Sequence, residues 1–236
     1  EKIKEMYPSS LIVLVMSSSF TERGDISILN KWEKTDIALH YGVDLVIELP
    51  FVFSTQSADI FAFGAISILN KMRVDTIVFG SESNDPNKLL EIANIQLNDE
   101  NYNKIVKDYL DQGENYPTAL SLALDKICNK TVTLPNDLLG LSYVREIVKQ
   151  KANIEIKTIK RTNDFHNTEL DNEIVSASAI RNNLDNNNIK KYIPSLTYQY
   201  LKNKKTNNKY FKLLKYKILC EQENIKIYQT VDEGIH

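Results

Sequence analysis

Asp44-Leu45-Val46-Ile47-Glu48-Leu49-Pro50 decides the fold. It predicts a short strand closed by a proline. On its N-terminal side, Gly42 ends a helix that Asp25 or Ser27 could cap and that runs to His40. Before that helix lies Leu11 to Val15, a continuous β-rich apolar run expected for a strand buried on both faces. On the C-terminal side come a helix over 58–72 and a third strand, Asp75-Thr76-Ile77-Val78-Phe79-Gly80, ending in a glycine. Strand and helix alternating at this spacing predict crossover units and a parallel sheet, an α/β protein.

From Asn84 to about Lys149 the pattern is mostly helical. Asp85-Pro86 opens one helix, Pro117 starts another, and Asp137 caps a third after Pro135. Ile154 to Ile159 returns to strand alternation. A polar loop, Arg161 to Asn172, leads to Ser176-Ala177-Ser178-Ala179-Ile180-Arg181 and its helix. Beyond about Asn188 the chain is rich in Lys, Asn and Tyr, with helical apolar spacing at Leu201, Phe211, Leu214 and Ile218. Two domains are expected, 1–187 and a small α-helical one over 188–236.

With 42% hydrophobic and 25% charged residues the chain has the composition of a soluble globular protein with a real core. Cys128 and Cys220 sit far apart without metal-ligand spacing, and are expected to be buried thiols in a reducing compartment. The longest apolar run, Leu11 to Met16, is too short to span a bilayer and lacks signal-peptide flanks, so no membrane is involved and a cytoplasmic location is expected. The start, Glu1 to Tyr7, reads as the last turns of a helix. With the abrupt end at Val231 to His236, it predicts a fragment.

Small hydroxyl residues followed by an apolar residue and an arginine, as in Ser176 to Arg181, suit a helix start that holds a polyphosphate. Free backbone N–H groups and the helix dipole favour negative charge there, and Arg181 adds a cation. Nucleotide-binding parallel sheets hold their ligand at the carboxyl ends of the strands. The segments expected there are Met16 to Asp25, Phe79-Gly80-Ser81-Glu82, Pro135 to Gly140, and Lys160-Arg161. Gly80 would let a base or ribose approach the backbone closely.

In this order these segments resemble the bacterial tRNA(Met) cytidine acetate ligases, a branch of the nucleotidyltransferase superfamily. The most specific parts are Val15-Met16 through Arg23-Gly24, and Lys31-Trp32 through Gly42 to Pro50. Gln56-Ser57-Ala58-Asp59, Phe79 to Glu82, Pro135-Asn136 with Leu139-Gly140, Lys160-Arg161 and Ser176 to Arg181 complete it. The resemblance covers nearly the whole chain. It implies a Rossmann-like nucleotidyltransferase domain with a parallel sheet, followed by a small α-helical RNA-binding region.

By that resemblance the protein activates acetate with ATP as acetyl-adenylate and acetylates the wobble cytidine of elongator tRNA(Met). Gly80, Asn136 and Arg161 match the family's ATP-contacting positions. Ser176, Ser178 and Arg181 belong to its phosphate-binding helix start. Mg²⁺ is expected with the ATP, since polyphosphate charge must be screened, although no protein metal cage is visible.

The chain departs from the family twice. The family carries a His-x-Gly-His motif after its first strand, whose histidines contact the phosphates. Here His40, His166 and His236 are the only histidines, none in such a motif. The catalytic residues are therefore unknown, and the first strand and its loop are expected to precede this sequence. Ser17-Ser18-Ser19 stands where the family usually has Ser-Gly-Asn, a change that could narrow the acetate pocket or be harmless drift.

Plainer roles stand beside these. Ser176 and Ser178 suit ordinary helix caps, Arg161 could solvate a strand end, Asn136 could cap a helix, and Gly80 could simply turn the chain. Arg23 is either a substrate-side cation or a solvated charge. Trp32 is expected in the core, and His166 on the polar surface. Lys202, Lys204, Lys205, Lys209 and Lys212 begin a stretch without an acid, interleaved with tyrosines. Lysines neutralise phosphates and tyrosines stack on bases, so this stretch is the expected tRNA-contacting surface. The rival functions are a cofactor-type nucleotidyltransferase without an RNA substrate, and a non-catalytic RNA-binding homologue.

Overall fold

The computed structural model describes residues 2–22, 24–128, 132–161, 175–205, 209–221 and 224–228. Helix α1 (Lys2–Met6) precedes strand β1 (Val13–Ser17), helix α2 (Lys31–His40) and strand β2 (Leu45–Leu49). Then come α3 (Phe51–Ser54), α4 (Ala58–Lys71), strand β3 (Thr76–Ser81) and four helices. These are α5 (Pro86–Asn98), α6 (Glu100–Asp111), α7 (Tyr116–Cys128) and α8 (Pro135–Lys149). Strand β4 (Glu155–Lys160) is followed by α9 (Ala177–Asn182), α10 (Ser195–Leu201) and α11 (Lys209–Cys220). Single 3₁₀ turns occupy Asn187–Lys191 and Ile225–Ile227.

The chain divides into two compact units, 10–56 with the described residues from 175 onward, and 2–9 with 57–161. In the first, β1 and β2 pair in parallel, Val13 opposite Leu45 and Ser17 opposite Leu49. The ladder starts two residues later than the apolar run suggests. Ile12 donates its N–H to the Asp44 carboxylate at 2.8 Å, and Leu11 is 82% exposed. β1 is half-buried along its length rather than fully buried.

The cap of α2 is Asn30, not Asp25 or Ser27. Asn30 Oδ1 accepts from the N–H groups of Trp32 and Glu33, and the Glu33 side chain accepts from the Asn30 N–H. This two-way exchange satisfies donors at both ends of the first turn. Residues 19–22 and 24–27 instead close a loop, with Ser27 N bonded to Ser19 O and Thr21 N to Asp25 O. Gly42 does end α2, at φ +95°, a conformation that suits glycine.

In the second unit, β3 and β4 pair in parallel, Thr76 opposite Glu155 and Ser81 opposite Lys160. Helix α8 packs against β3, α4 and α5, and α6 packs against α7. The core is built from Leu89 and Ile92 of α5, Tyr102 and Ile105 of α6, Ala123 of α7 and Val144 of α8, with their neighbours. Asp85 caps α5 ahead of Pro86, as its sequence predicts. Helix α6 begins at a further cap, Asp99, whose carboxylate accepts from the N–H groups of Asn101 and Tyr102.

Among the described residues no helix is long and apolar enough to cross a membrane. Cys128 is half-buried and Cys220 is exposed, so the expectation of two buried thiols fails. Helix α11 carries no buried residue, which leaves its last position, Cys220, open to solvent.

Candidate nucleotide site

β3 and β4 end side by side, and the ladder continues one residue further through Arg161 N–H donating to Ser81 O at 2.9 Å. The Arg161 side chain runs back over Gly80. A Cβ on Gly80 would lie 3.3 Å from Arg161 Cγ, so the missing side chain makes room for the arginine stem. Arg161 Nη1 then reaches Asn136 Oδ1 at 3.4 Å. Three residues spread from 80 to 161 thus meet beside the carboxyl ends of two parallel strands.

Two carboxylates, exchanged between loop and helix, fix this corner. Glu82 follows β3 and accepts from Asn136 Nδ2 at 2.5 Å and from the N–H groups of Asn136 and Asp137 at 3.3 and 2.9 Å. It caps α8, whose own N-cap residue, Leu134, offers no side chain. In return Asp137, buried in the first turn of α8, accepts from Ser81 Oγ at 2.5 Å and from the N–H groups of Glu82 and Ser83 at 3.1 and 2.9 Å. Asp137 is therefore not the cap its position after Pro135 suggests. A carboxylate facing back into the β3–α5 loop binds three donors there, and the loop supplies the cap instead.

The loop is held from β4 as well. Lys160 Nζ donates to Glu82 O at 2.7 Å, and Thr158 Oγ1 donates to Asn84 Oδ1 at 2.9 Å. The result is a hydrogen-bonded ledge with one guanidinium, one amide and one glycine at its edge. The guanidinium suits a planar or anionic ligand.

The serine motif lies in the other unit. Ser176 is the N-cap of α9, its Oγ accepting from Ala179 N–H at 3.0 Å. Ser178 Oγ accepts from Arg181 Nη2 at 2.9 Å. The hydroxyls thus serve the helix start and steady Arg181, which is exposed.

The basic segment separates into unlike lysines. Lys204 is paired with Glu33 of α2 at 2.7 Å, and Tyr200 donates to Asp36 Oδ2 at 2.6 Å, tying α10 to α2. Burial works to raise the Glu33 carboxyl, but the bonds from Lys204 and Asn30 outweigh it and hold it below its ordinary value. Lys202, Lys205, Lys209 and Lys212 are exposed. Of the α11 tyrosines, Tyr216 is exposed while Tyr210 packs against Phe20, ring centroids 5.2 Å apart.

Trp32 is not a core residue: it stands 73% exposed on α2. Apolar spacing alone does not reveal which face of α2 carries it. His40 is exposed beside Tyr41. Arg23, His166 and His236 lie outside the described residues. The residues that sequence reasoning missed are Glu82 and Asp137 as a linked pair. Both lie inside segments expected at the strand ends, but nothing in the spacing joins them.

Curated relatives share this chain's whole length. A tRNA(Met) cytidine acetate ligase of Bacillus mycoides is 37% identical, with 100% of this chain and 65% of the relative aligned. That of Caldicellulosiruptor saccharolyticus is 36% identical, with 100% of this chain and 62% of the relative aligned. The chain thus spans less than two thirds of these relatives' own lengths.

Among solved structures, Thermotoga maritima TmcAL in its apo form superposes with a TM-score of 0.78 at 32% identity, covering 85% of this chain and 51% of that one. The same protein bound with alpha-thio ATP superposes with a TM-score of 0.76 at 32% identity, covering 85% and 50%. The α/β architecture with parallel strands is that of these structures. The model of one family, the HIGH nucleotidyl transferases, matches residues 1–236 without a gap at either end, and the chain belongs to that family.

Proposed function

We propose that the protein is an ATP-dependent ligase that acetylates the wobble cytidine of elongator tRNA(Met). An acetate oxygen attacks the α-phosphorus of ATP and displaces pyrophosphate, giving acetyl-adenylate. The exocyclic amine of the cytidine then attacks the acetyl carbon, loses a proton, and AMP leaves. Charge builds on the phosphoryl and pyrophosphate oxygens in the first step, so fixed cations and donors lower its barrier.

The observation that carries this function is the meeting of Gly80, Asn136 and Arg161 at one strand-end corner. By the family resemblance, these are the positions that match the ATP contacts. The relatives' names and the alpha-thio ATP complex of the Thermotoga protein support the same function. Ser176, Ser178 and Arg181 are assigned to the phosphates, with Arg181 supplying the charge. Residues 1–187 form the nucleotide-binding part, and 188–236 the part that meets RNA. Exposed Lys202, Lys205, Lys209 and Lys212 face the backbone phosphates, and Lys204 braces α10 through Glu33.

Mg²⁺ is assigned to the triphosphate itself. Among the described residues no group of three or more His, Cys, Asp or Glu could hold a metal ion.

The test is incubation of the protein, expressed from its full reading frame, with ATP, acetate and elongator tRNA(Met). Acetylcytidine at the wobble position, found by mass spectrometry of the digested tRNA, is the expected product. Turnover of ATP with a mononucleotide acceptor and an unmodified tRNA would reject the assignment in favour of a cofactor-type nucleotidyltransferase.

A further inference from the structure

Trp32 is the single tryptophan of the chain. It borders a cavity of about 130 Å³ at the carboxyl ends of β1 and β2. Met16 and Val46 give this cavity apolar walls, and Ser18, Lys31 and Glu48 give it polar ones. A protein void of about 150 Å³ holds one benzene ring, so this space has room for a single six-membered ring.

The polar wall is arranged around a carboxylate. Lys31 Nζ donates to Glu48 Oε2 at 2.7 Å and lies 5.4 Å from the Trp32 ring centroid. The bond from Lys31, with one from Ser18, holds the Glu48 carboxyl below its ordinary value. Lys31 and Glu48 offset each other's charge in this pairing. Lys34 does not line the cavity; its ammonium donates to the carbonyls of Ser17 and Ser18 at 2.7 and 2.6 Å, and its charge also helps to hold the Glu48 carboxyl low. What the cavity offers is an aromatic face and an ionised acceptor. A ring carrying an N–H donor meets attraction from that carboxylate.

We propose that this cavity, if the protein is the ligase described above, is the subsite for the acceptor base, in which an aminopyrimidine stacks on Trp32 and donates its exocyclic amine to Glu48. Cytosine presents an amine where uracil presents a carbonyl oxygen. A carboxylate therefore accepts from cytosine and repels uracil, which gives base selection as well as binding. Stacking supplies affinity without regard to base identity. Trp32 and Glu48 thus divide the work, one binding and the other choosing.

The experiment follows Trp32 fluorescence as anticodon stem-loops carrying cytidine or uridine at the wobble position are added. Affinities of variants are read from labelled RNA. Quenching by the cytidine stem-loop is expected, with the uridine form binding about tenfold more weakly. Trp32→Ala should lose about tenfold in affinity, Trp32→Phe should largely retain it, and Glu48→Gln should bind but no longer separate cytidine from uridine.

Equal affinity for the two stem-loops in the unsubstituted protein would overturn the proposal. So would Trp32→Ala binding as tightly as Trp32→Phe, or quenching that acetate alone saturates. Acetate-dependent ATP–pyrophosphate exchange, measured on the same unsubstituted preparation, separates the two claims. Exchange without cytidine-selective quenching rejects the subsite alone. Cytidine-selective quenching without exchange supports the base site and rejects the ligase function.

Discussion

Glu82 and Asn136, 54 positions apart, are joined by two hydrogen bonds to one oxygen: Asn136 Nδ2 and Asn136 N–H both donate to Glu82 Oε1, at 2.5 and 3.3 Å. The amide is thereby turned so that its own oxygen faces Arg161. Glu82→Ala removes the acceptor from the start of α8. It should destabilise the fold by about 1–3 kcal/mol, the cost of leaving such donors unmet. It should also weaken ATP binding, because Asn136 loses its orientation. A double-mutant cycle with Asn136→Ala checks the link; coupling of about 0.5 kcal/mol or more is expected for residues in one network.

Gly140 of α8 lies against Phe79 of β3. A Cβ built there would stand 2.5 Å from Phe79 Cε2, and the ring sits beneath a packed helix. Gly140→Ala must therefore move the ring or the helix, although alanine favours helices. Overpacking of this kind costs about 1–3 kcal/mol. Urea unfolding should show a lower midpoint with an unchanged slope, and because Phe79 precedes Gly80, ATP affinity should fall too.

Tyr102 gives an alkaline signature. It is 2% exposed, and burial pushes its phenol up to about 12 against a partial counter-effect from the Gln96 bond. In the unfolded chain the phenol ionises near its ordinary value of about 10. Between these two values the native state keeps a proton that the unfolded state has lost. Stability from this group is complete below about pH 10 and falls as pH rises toward about 12, by about 2–3 kcal/mol. Tyr102→Phe should lack that loss. Near neutral pH it should be slightly less stable, since the hydroxyl donates to Leu120 O at 3.3 Å. Urea titrations at about pH 8 and about pH 11 should show the two proteins converging or crossing.

The lysines of 202–212 are distinguished by their partners. Lys204→Ala breaks the pair with Glu33 and should act on stability as well as binding. The triple variant Lys202→Ala, Lys205→Ala, Lys212→Ala removes exposed charge alone. Its affinity for tRNA should drop, and the slope of log K against log salt should shrink by about one unit for each phosphate that is no longer neutralised. An unchanged slope would remove these lysines from the RNA surface.

Much of the fold was legible because its signals are local. Asp85 before Pro86 caps a helix, Gly42 ends one at positive φ, and the alternation of β1, α2 and β2 predicts their parallel pairing; β3, expected in the same sheet, pairs instead with β4 in a second two-stranded sheet. The cap of α2 was misplaced because Asp25, Ser27 and Asn30 are all plausible caps, and only Asn30 has Glu33 three residues on. Trp32 was misassigned because helical spacing does not say which face meets solvent. Gly80, Asn136 and Arg161 entered by resemblance; their contact depends on strand register and on the turn of α8. The exchange between Glu82 and Asp137 was not legible at all. Each carboxylate satisfies backbone donors 54 or 55 residues away, and no periodicity records that.

Acetate-dependent ATP–pyrophosphate exchange is the most direct measure of the proposed function, made on the protein from its full reading frame and on Asn136→Ala and Arg161→Ala. Exchange that requires acetate, and that needs markedly more ATP in both variants, is the predicted result. A folded, ATP-binding protein with no acetate-dependent exchange would contradict the ligase assignment. Exchange indifferent to both substitutions would contradict the placement of ATP at the corner where β3, β4 and α8 meet.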